Sequence, residues 1–265
     1  MSLRLEISRG VARLLIDRAD KRNAFNLAMW EALLDLLADA LANPNVRALE
    51  LTSADPDATF SAGADIGEML ANKDDPEWLA RKQSAINRAQ YELTRAPIPT
   101  LAFVNGDCIG GGCGLAMACD LRVAAPGARF GVTPARLGLV YPLHDVKLLT
   151  DLVGPGHAKR LLYTGSLIDA EEARRIGLVE SVEESSARTL EAILASSPYS
   201  QSAAKAFVRR VLDGQSEDDT ETLDIFAKAF AGADFAEGAQ AFLEKRKPQF
   251  GSRPSRQSAS STPSE

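Results

Sequence analysis

Two turns rich in small residues carry the backbone groups in this sequence that could do chemistry. The first is TFSAGADIGEM, residues 59–69, and the second is VNGDCIGGGCGLAMACD, residues 104–120. In each segment an apolar, strand-like stretch leads into a turn and then into the start of a helix. Unpaired N–H groups at such a point can bind a phosphate or stabilise an oxyanion.

The glycines of the second turn do not match a nucleotide-binding loop. The segment lacks the Gly-Lys-Ser/Thr ending of a P-loop, and no G-x-G-x-x-G directly follows a first strand. Taken alone, the glycines at 110–112 could equally allow a helix to pack closely on a strand. The presence of a second turn favours an oxyanion hole, because such a site needs two converging N–H donors.

Together the two turns resemble the motifs of the crotonase superfamily, the enoyl-CoA hydratase/isomerase family. FSAGAD, residues 60–65, is similar to its first oxyanion motif, and NGDCIGGGCGLAMACD, residues 105–120, is similar to its second. The resemblance continues through residues 161–179, LLYTGSLIDAEEARRIGLV, and residues 236–250, AEGAQAFLEKRKPQF. It implies an α/β fold, a crotonase-type superhelix of repeated β-β-α units with a C-terminal helical region.

The resemblance also implies a coenzyme A thioester as the ligand. Its carbonyl oxygen would be held by two backbone N–H groups while negative charge develops on it as an enolate. By their place in the motifs, the donors are Ala64 and Gly111, which makes both of them catalytic candidates. Losing one such donor typically raises the barrier by roughly 3–4 kcal/mol. We therefore expect a lyase or an isomerase of fatty acid metabolism.

The two glutamates that hydratases of this family use are replaced here. The first would lie two residues after the GGG run, where this chain has Gly114. The second closes an F-x-x-P-E pattern, and it falls on Pro134 when counted from Phe130 or on Ala135 when aligned on the proline. Hydration needs an acid and a base. We therefore do not expect efficient hydration, and ordinary double-bond isomerisation also loses support.

Tyr141 offers a different chemistry. The run TPARLGLVY, residues 133–141, is similar to the T-P-x-x-L-G-x-x-Y run of methylmalonyl-CoA decarboxylases within the superfamily. The similarity is partial, because those enzymes have a histidine where this chain has Ala64. Tyr141 is thus a catalytic candidate that could orient a leaving carboxylate, or else a half-buried residue of the pocket wall. Decarboxylation needs an enolate sink but no base at carbon.

His144 is the fourth catalytic candidate, and Asp145 follows it directly. A solvated loop would explain both side chains equally well. Two alternatives to the leading function therefore stay open. One is a malonyl-type acyl-CoA decarboxylase that uses Tyr141, and the other is a non-catalytic acyl-CoA binding subunit.

Several residues become candidate contacts to coenzyme A through the resemblance. A basic pair before N-A-hydrophobe-N is expected near the phosphates, although a solvated turn would explain the pair as well. The C-terminal helix is expected to reach a neighbouring subunit, although core packing and a solvated basic patch are equally good explanations. The candidates are Lys21, Arg22, Ala24, Ala62, Ala64, Asp65, Ile66, Phe242 and Lys247.

Composition limits the other possibilities. With 265 residues, 45% of them apolar, the chain can bury one large core. A net charge of −6 argues against nucleic acid or an anionic membrane as the main partner. The sequence contains no apolar stretch long enough to span a bilayer, and its first residues do not resemble a signal peptide, so we expect a cytoplasmic protein. The three cysteines fit no zinc spacing, so we expect buried free thiols, no metal and no tightly bound cofactor beyond the coenzyme A of the substrate.

The elements that must position these groups follow from periodicity. Strand-like runs alternating with amphipathic helices predict right-handed crossovers and a stacked, largely parallel sheet core. We expect a crotonase-type core over residues 1–195, a helical oligomerisation region over 196–250 and a disordered tail over 251–265. The family implies a homotrimer or a dimer of trimers. Other expected elements are strands at 3–7 and 11–16, a helix after Asn26, a loop and helix over 71–95, and helices over 152–165, 168–179 and 187–212.

Overall fold

Nine strands and ten helices form within residues 2–251, the part of the chain that the computed structural model describes. The strands are β1 (Leu3–Ser8), β2 (Val11–Ile16), β3 (Ala48–Ser53), β4 (Thr100–Val104), β5 (Cys108–Ile109), β6 (Leu121–Ala124), β7 (Arg129–Gly131), β8 (Leu167–Asp169) and β9 (Ser181–Val182). The helices are α1 (Leu27–Ala42), α2 (Ile66–Ala71), α3 (Pro76–Arg95), α4 (Gly111–Met117), α5 (Leu143–Thr164), α6 (Ala170–Arg175), α7 (Ala187–Leu194), α8 (Pro198–Leu212), α9 (Thr220–Ala231) and α10 (Ala233–Leu243).

The strands form two sheets, and most neighbours within them are parallel. The larger sheet has the order β1-β2-β3-β4-β6-β9, and only the pair β1 and β2 is antiparallel there. The smaller sheet has the order β5-β7-β8. The central strands β2, β3 and β4 are buried along nearly their whole length, as expected for parallel strands covered on both faces. The predicted parallel core is thereby confirmed.

Helices α1 and α3 pack against each other beside the larger sheet. Asn26 caps α1 as predicted, since its side chain accepts a hydrogen bond from the N–H of Met29 at 3.0 Å. The apolar stripe of α1 buries Trp30, Leu33 and Leu37 in the main core. Helix α3 begins at Pro76, after a short connection from α2, in agreement with the loop and helix expected over 71–95.

Three of the predicted helices are wrong in their extent. Residues Leu167–Asp169 form β8, which pairs with β7, so the expected helix over 168–179 is reduced to α6. The expected helix over 187–212 is divided into α7 and α8, because Pro198 starts a new helix there. The expected helix over 152–165 belongs to α5, which already begins at Leu143. Pairing with a distant strand decided the first difference, and periodicity within the segment does not reveal such a partner.

The C-terminal helices expose several aromatic rings. Phe230 packs between Phe226 and Phe235, with ring centroids 5.4 and 5.3 Å apart. The division of the chain near residue 195 stays a prediction. The predicted disordered tail lies outside the described residues except for Gly251. Among residues 2–251, no helix is both long and apolar enough to cross a membrane.

Candidate active site

The two predicted turns lie side by side and are joined through the main chain. The N–H of Ser61 donates to the carbonyl of Asp107 at 3.0 Å, and the N–H of Ile109 donates to the carbonyl of Ser61 at 2.9 Å. Gly63 has φ +90°, and a Cβ there would lie 2.6 Å from the carbonyl oxygen of Ile109. Only glycine tolerates both the positive φ and this approach. The sequence therefore fixes how closely the two turns meet.

This contact brings the two predicted oxyanion donors together. The amide nitrogen of Ala64 lies 3.7 Å from the position that a Cβ of Gly111 would take. Gly111 is the first residue of α4, where backbone N–H groups lack partners within the helix. Across the described chain, neither amide donates a hydrogen bond to another group. Both residues line one cavity of about 210 Å³. This geometry suits an oxygen atom that carries developing negative charge.

Tyr141 lies on the wall of the same cavity and is only 7% exposed. Its hydroxyl donates a hydrogen bond to the carbonyl of Gly110 at 2.9 Å. Burial raises the pKa of this phenol, and the nearby Asp145 raises it further. Tyr141 is therefore neutral, and its single hydroxyl hydrogen is held by the main chain next to the oxyanion donors.

Asp145 is a functional candidate that the sequence did not single out. Its side chain lines the cavity and is 3% exposed, so a solvated loop, one of the explanations left open above, does not hold for Asp145. The Nε2 of Gln90 donates to its Oδ1 at 2.6 Å. A Cβ built on Gly114 would lie 2.3 Å from that same oxygen. The carboxylate thus fills the space beside α4 where a side chain at position 114 would otherwise be.

Burial raises the pKa of Asp145. Desolvation raises its pKa from 3.8 to about 6, and the hydrogen bond from Gln90 offsets part of that rise. A carboxyl group with this pKa can accept and return a proton near neutral pH. We call the part of the cavity formed by Ala64, Gly111 and Asp145 the oxyanion end.

His144 is not brought to this cavity. It precedes Asp145 on α5, but it is not among the residues that line the cavity. Burial lowers its pKa, and the nearby charges of Arg209 and Arg95 lower it further. The side chain therefore lies near basic groups, and the geometry gives it no role beside the oxyanion donors.

The candidate contacts to coenzyme A around residues 21–25 and 62–66 come together in space. The N–H of Ala62 donates to the carbonyl of Arg22 at 2.9 Å, and the N–H of Asp65 donates to the carbonyl of Phe25 at 2.9 Å. These two amides are therefore occupied by the main chain. The Asp65 side chain caps α2 and also pairs with Arg18 at 2.9 Å.

The other candidates for this role differ in position. The side chains of Lys21 and Arg22 lie at the surface, and Arg22 pairs with Asp107 at 3.1 Å. Ile66 lines the cavity, whereas Phe242 on α10 is 83% exposed and Lys247 is also exposed. Neither Phe242 nor Lys247 lines the cavity within one copy of the chain.

Helix α3 closes the other side of the cavity. Four residues spaced by four share this face, and each lines the cavity: Trp78, Lys82, Ile86 and Gln90. Lys82 is only 5% exposed. Its Nζ lies 4.9 Å from the centroid of the Trp78 ring. We call the part of the cavity formed by Trp30, Trp78 and Lys82 the cationic end.

Known proteins are similar to this chain along nearly its whole length. Residues 6–253 match the enoyl-CoA hydratase/isomerase family. The crotonyl-CoA hydratase of Syntrophomonas wolfei is 37% identical over 257 residues, covering 93% of this chain and 96% of that protein. The short-chain-enoyl-CoA hydratase of Clostridium acetobutylicum is 34% identical over 253 residues, covering 92% and 95%. A crystal structure from Hyphomonas neptunium, assigned to the enoyl-CoA hydratase/isomerase family, has a TM-score of 0.90 at 38% identity and covers 96% of this chain and 98% of that one.

Proposed function

We propose a reaction for this chain on the premise that it belongs to the enoyl-CoA hydratase/isomerase family, has the crotonase fold and acts on acyl-CoA. The proposed reaction is double-bond isomerisation, in which a 3-enoyl-CoA becomes a 2-enoyl-CoA. One observation carries this choice. A single buried carboxylate, Asp145, lies beside Gly114 in the space of the missing first glutamate.

A single carboxylate is sufficient for this chemistry. Asp145 takes a proton from the α-carbon, and the electron pair of that C–H bond forms a dienolate. The N–H groups of Ala64 and Gly111 donate to the enolate oxygen and stabilise its charge. The Asp145 carboxyl then returns the proton to the γ-carbon, and the double bond shifts to the 2-position. Nothing is added or lost, so no second proton-transferring group is required. A pKa of about 6 suits a base that works near neutral pH.

Hydration of a 2-enoyl-CoA is the second candidate. The two relatives described above are named as hydratases. In addition, the Oε1 of Gln90 is buried and has no hydrogen-bond partner among the described residues. It could accept a hydrogen bond from a water molecule beside Asp145. The oxygen of that water would then add to the β-carbon while the carboxylate takes one of its protons and passes it to the α-carbon. The absence of a glutamate at 114, 134 and 135 counts against high efficiency.

The decarboxylase alternative finds less support at Tyr141. Its only hydroxyl hydrogen is donated to the carbonyl of Gly110, so it is not free to orient a leaving carboxylate. A purely binding subunit would have no use for a buried carboxyl group with a raised pKa, whose burial is unfavourable. Both alternatives remain outcomes of the experiment below.

Coenzyme A enters this proposal as part of the substrate. Residues 21–25 and 62–66 are proposed to hold its nucleotide and pantetheine parts. Phe242 and Lys247 are exposed, as contacts to a thioester bound in a neighbouring subunit would need to be. A homotrimer or a dimer of trimers and a cytoplasmic location stay predictions.

The test is a turnover screen with purified protein, followed by chromatography and mass spectrometry. We expect 3-hexenoyl-CoA to be converted to 2-hexenoyl-CoA without a change of mass. Addition of water to crotonyl-CoA would favour the second candidate, and loss of carbon dioxide from methylmalonyl-CoA would favour the decarboxylase. Tyr141→Phe separates these further, because it should slow isomerisation less than tenfold. Absence of any product would contradict the proposal and favour the binding subunit.

A further inference from the structure

The cationic end of the cavity contains a buried ammonium group without a partner. The Nζ of Lys82 is buried and makes no hydrogen bond within residues 2–251. Burial lowers the pKa of this ammonium group, and the negative charges of Glu68 and Asp65 offset part of that change. Desolvating an ion costs several kcal/mol unless a counter-charge repays it. The ring of Trp78 offers some compensation but no hydrogen-bond acceptor.

The two nearby carboxylates are already engaged elsewhere. Both oxygens of Glu68 accept the N–H of Leu27, at 3.0 and 3.2 Å. Asp65 caps α2 with one oxygen and pairs with Arg18 through the other. Neither comes within ion-pair distance of Lys82 in the described structure. The ammonium is therefore held in the cavity wall without a protein counter-ion.

A second unpartnered donor belongs to a residue of the same cavity wall. Trp30 on α1 lines the cavity, and its Nε1 is buried and has no hydrogen-bond acceptor among residues 2–251. Helix α1 packs against α3, which carries Lys82. Buried donors are nearly always paired in folded proteins, so two orphaned donors in one cavity indicate a missing acceptor. The missing group should be anionic, because one of the two donors is a cation.

We propose that Lys82 and Trp30 bind a carboxylate at the far end of the acyl chain, so that the substrate is a coenzyme A thioester of a dicarboxylic acid. This inference rests on the proposed function, since it assumes that the thioester carbonyl occupies the oxyanion end. A carboxylate has two oxygens that accept hydrogen bonds, one for each donor. An ammonium also binds it with a charge-assisted hydrogen bond.

The length of α3 separates this carboxylate from the reacting carbons. Lys82 and Gln90 are eight residues apart on the helix, which corresponds to about 12 Å along its axis. Gln90 contacts Asp145, so the two ends of the cavity differ by several carbon atoms of an extended chain. The substrate carboxylate would therefore stay away from the negative charge of Asp145, and the acyl chain would lie along Ile86.

Equilibrium binding tests this inference without requiring turnover. Calorimetry would compare sebacoyl-CoA, whose ten-carbon chain is long enough to follow α3 to Lys82 and ends in a carboxylate, with decanoyl-CoA, which has the same number of carbon atoms and a methyl end. We expect the native protein to bind sebacoyl-CoA about 10- to 100-fold more tightly, because a hydrogen bond to a charged group contributes roughly 1.5–3 kcal/mol. In Lys82→Met this ratio should fall to about one. Lys82→Gln provides a second variant that keeps a donor but removes the charge.

Lys73→Met is the matched control, since Lys73 is exposed, pairs with Asp74 and does not line the cavity. It should keep the native preference. An equal affinity for both thioesters in the native protein would overturn the inference. So would a loss of free coenzyme A binding in Lys82→Met as large as the loss of sebacoyl-CoA binding, because Lys82 would then contact the coenzyme. If sebacoyl-CoA is preferred but no 3-enoyl-CoA is turned over, the proposed reaction fails while the binding site stands.

Discussion

The oxyanion end and the cationic end of the cavity are built from different kinds of groups. At the oxyanion end, the donors are main-chain amides of Ala64 and Gly111, positioned where two turns meet. At the cationic end, the donors are side chains on two helices that pack together, Lys82 on α3 and Trp30 on α1. The first end could stabilise an enolate of any acyl-CoA. The second could select one acyl group from another.

The two ends also share one feature, because each contains a buried charge. These are the Asp145 carboxylate at the oxyanion end and the Lys82 ammonium at the cationic end. Burying a charge is unfavourable to the fold. Function at this site is therefore expected to oppose stability, and substitutions can separate the two.

The largest expected effect is that of Asp145→Asn on turnover. Asparagine can still accept the hydrogen bond from Gln90 but cannot carry a proton, so kcat should fall by about 10²- to 10⁴-fold. Binding of the thioester should change little, which calorimetry can check. Asp151→Asn is the control, because Asp151 lies on the same helix, is exposed and pairs only with Lys147 in the described structure. Equal loss in both variants would remove Asp145 from the mechanism.

Gly114→Ala should displace the same carboxylate without altering it chemically. A Cβ at this position would lie 2.3 Å from Oδ1 of Asp145 and 2.7 Å from Nε2 of Gln90. We expect kcat to fall at least tenfold and the free energy of unfolding to drop by about 1–3 kcal/mol, as for other overpacked sites. Gly156→Ala is the control, since no atom lies within 4 Å of its Cβ position. Native activity in Gly114→Ala would mean that Asp145 can move away without consequence.

The pH dependence should show the raised pKa of Asp145 directly. Because the base must be ionised, kcat/KM should be level above pH 6 and fall about tenfold per pH unit below it. Stability should change in the opposite direction. The pKa is higher in the fold than in the unfolded chain, so protonation favours folding, and lowering the pH from 7 to 4 should add about 2 kcal/mol relative to Asp145→Asn. An activity profile without an acid limb near pH 6 would contradict the assignment.

The smallest expected effect is that of Lys82→Met on stability at the cationic end. Methionine removes an unpaired buried charge while keeping a flexible apolar chain, so the free energy of unfolding should rise by on the order of 1 kcal/mol. For a chain of this size that corresponds to about 2–4 °C in the unfolding midpoint. Thermal unfolding without ligand measures it. A clear loss of stability in Lys82→Met would show that Lys82 interacts favourably with another group of the protein, which would contradict its role in binding the substrate.

The turns that bring Ala64 and Gly111 together could be predicted from the sequence, because small residues encode turn geometry locally. The role of the two amides as oxyanion donors stays a prediction. The motif around Gly63 could be read without knowing what lies elsewhere in the fold. The same holds for the N-cap at Asn26 and for the parallel core, since each follows from local residue types and periodicity.

The burial of Asp145 and Lys82 could not be predicted in this way, because it depends on packing between elements that are distant in sequence. Asp145 looked like part of a solvated loop, since only the approach of α5 to α4 buries it beside Gly114. Lys82 lies in a polar stretch, and its burial follows from the packing of α3 over the cavity. One signal was present in the sequence: residues 78, 82, 86 and 90 share a helical face, and a charged residue on a face with tryptophan and isoleucine indicates a functional site or a buried pair.

The most direct test of the proposed mechanism is proton exchange in deuterated water. Native protein and Asp145→Asn would be incubated with 3-hexenoyl-CoA, and deuterium in the thioester would be located by NMR. We predict that the native protein forms 2-hexenoyl-CoA and that any deuterium enters at the α- and γ-carbons, while Asp145→Asn does neither at a comparable rate. Isomerisation by Asp145→Asn at the native rate would contradict the assignment of Asp145 as the proton carrier.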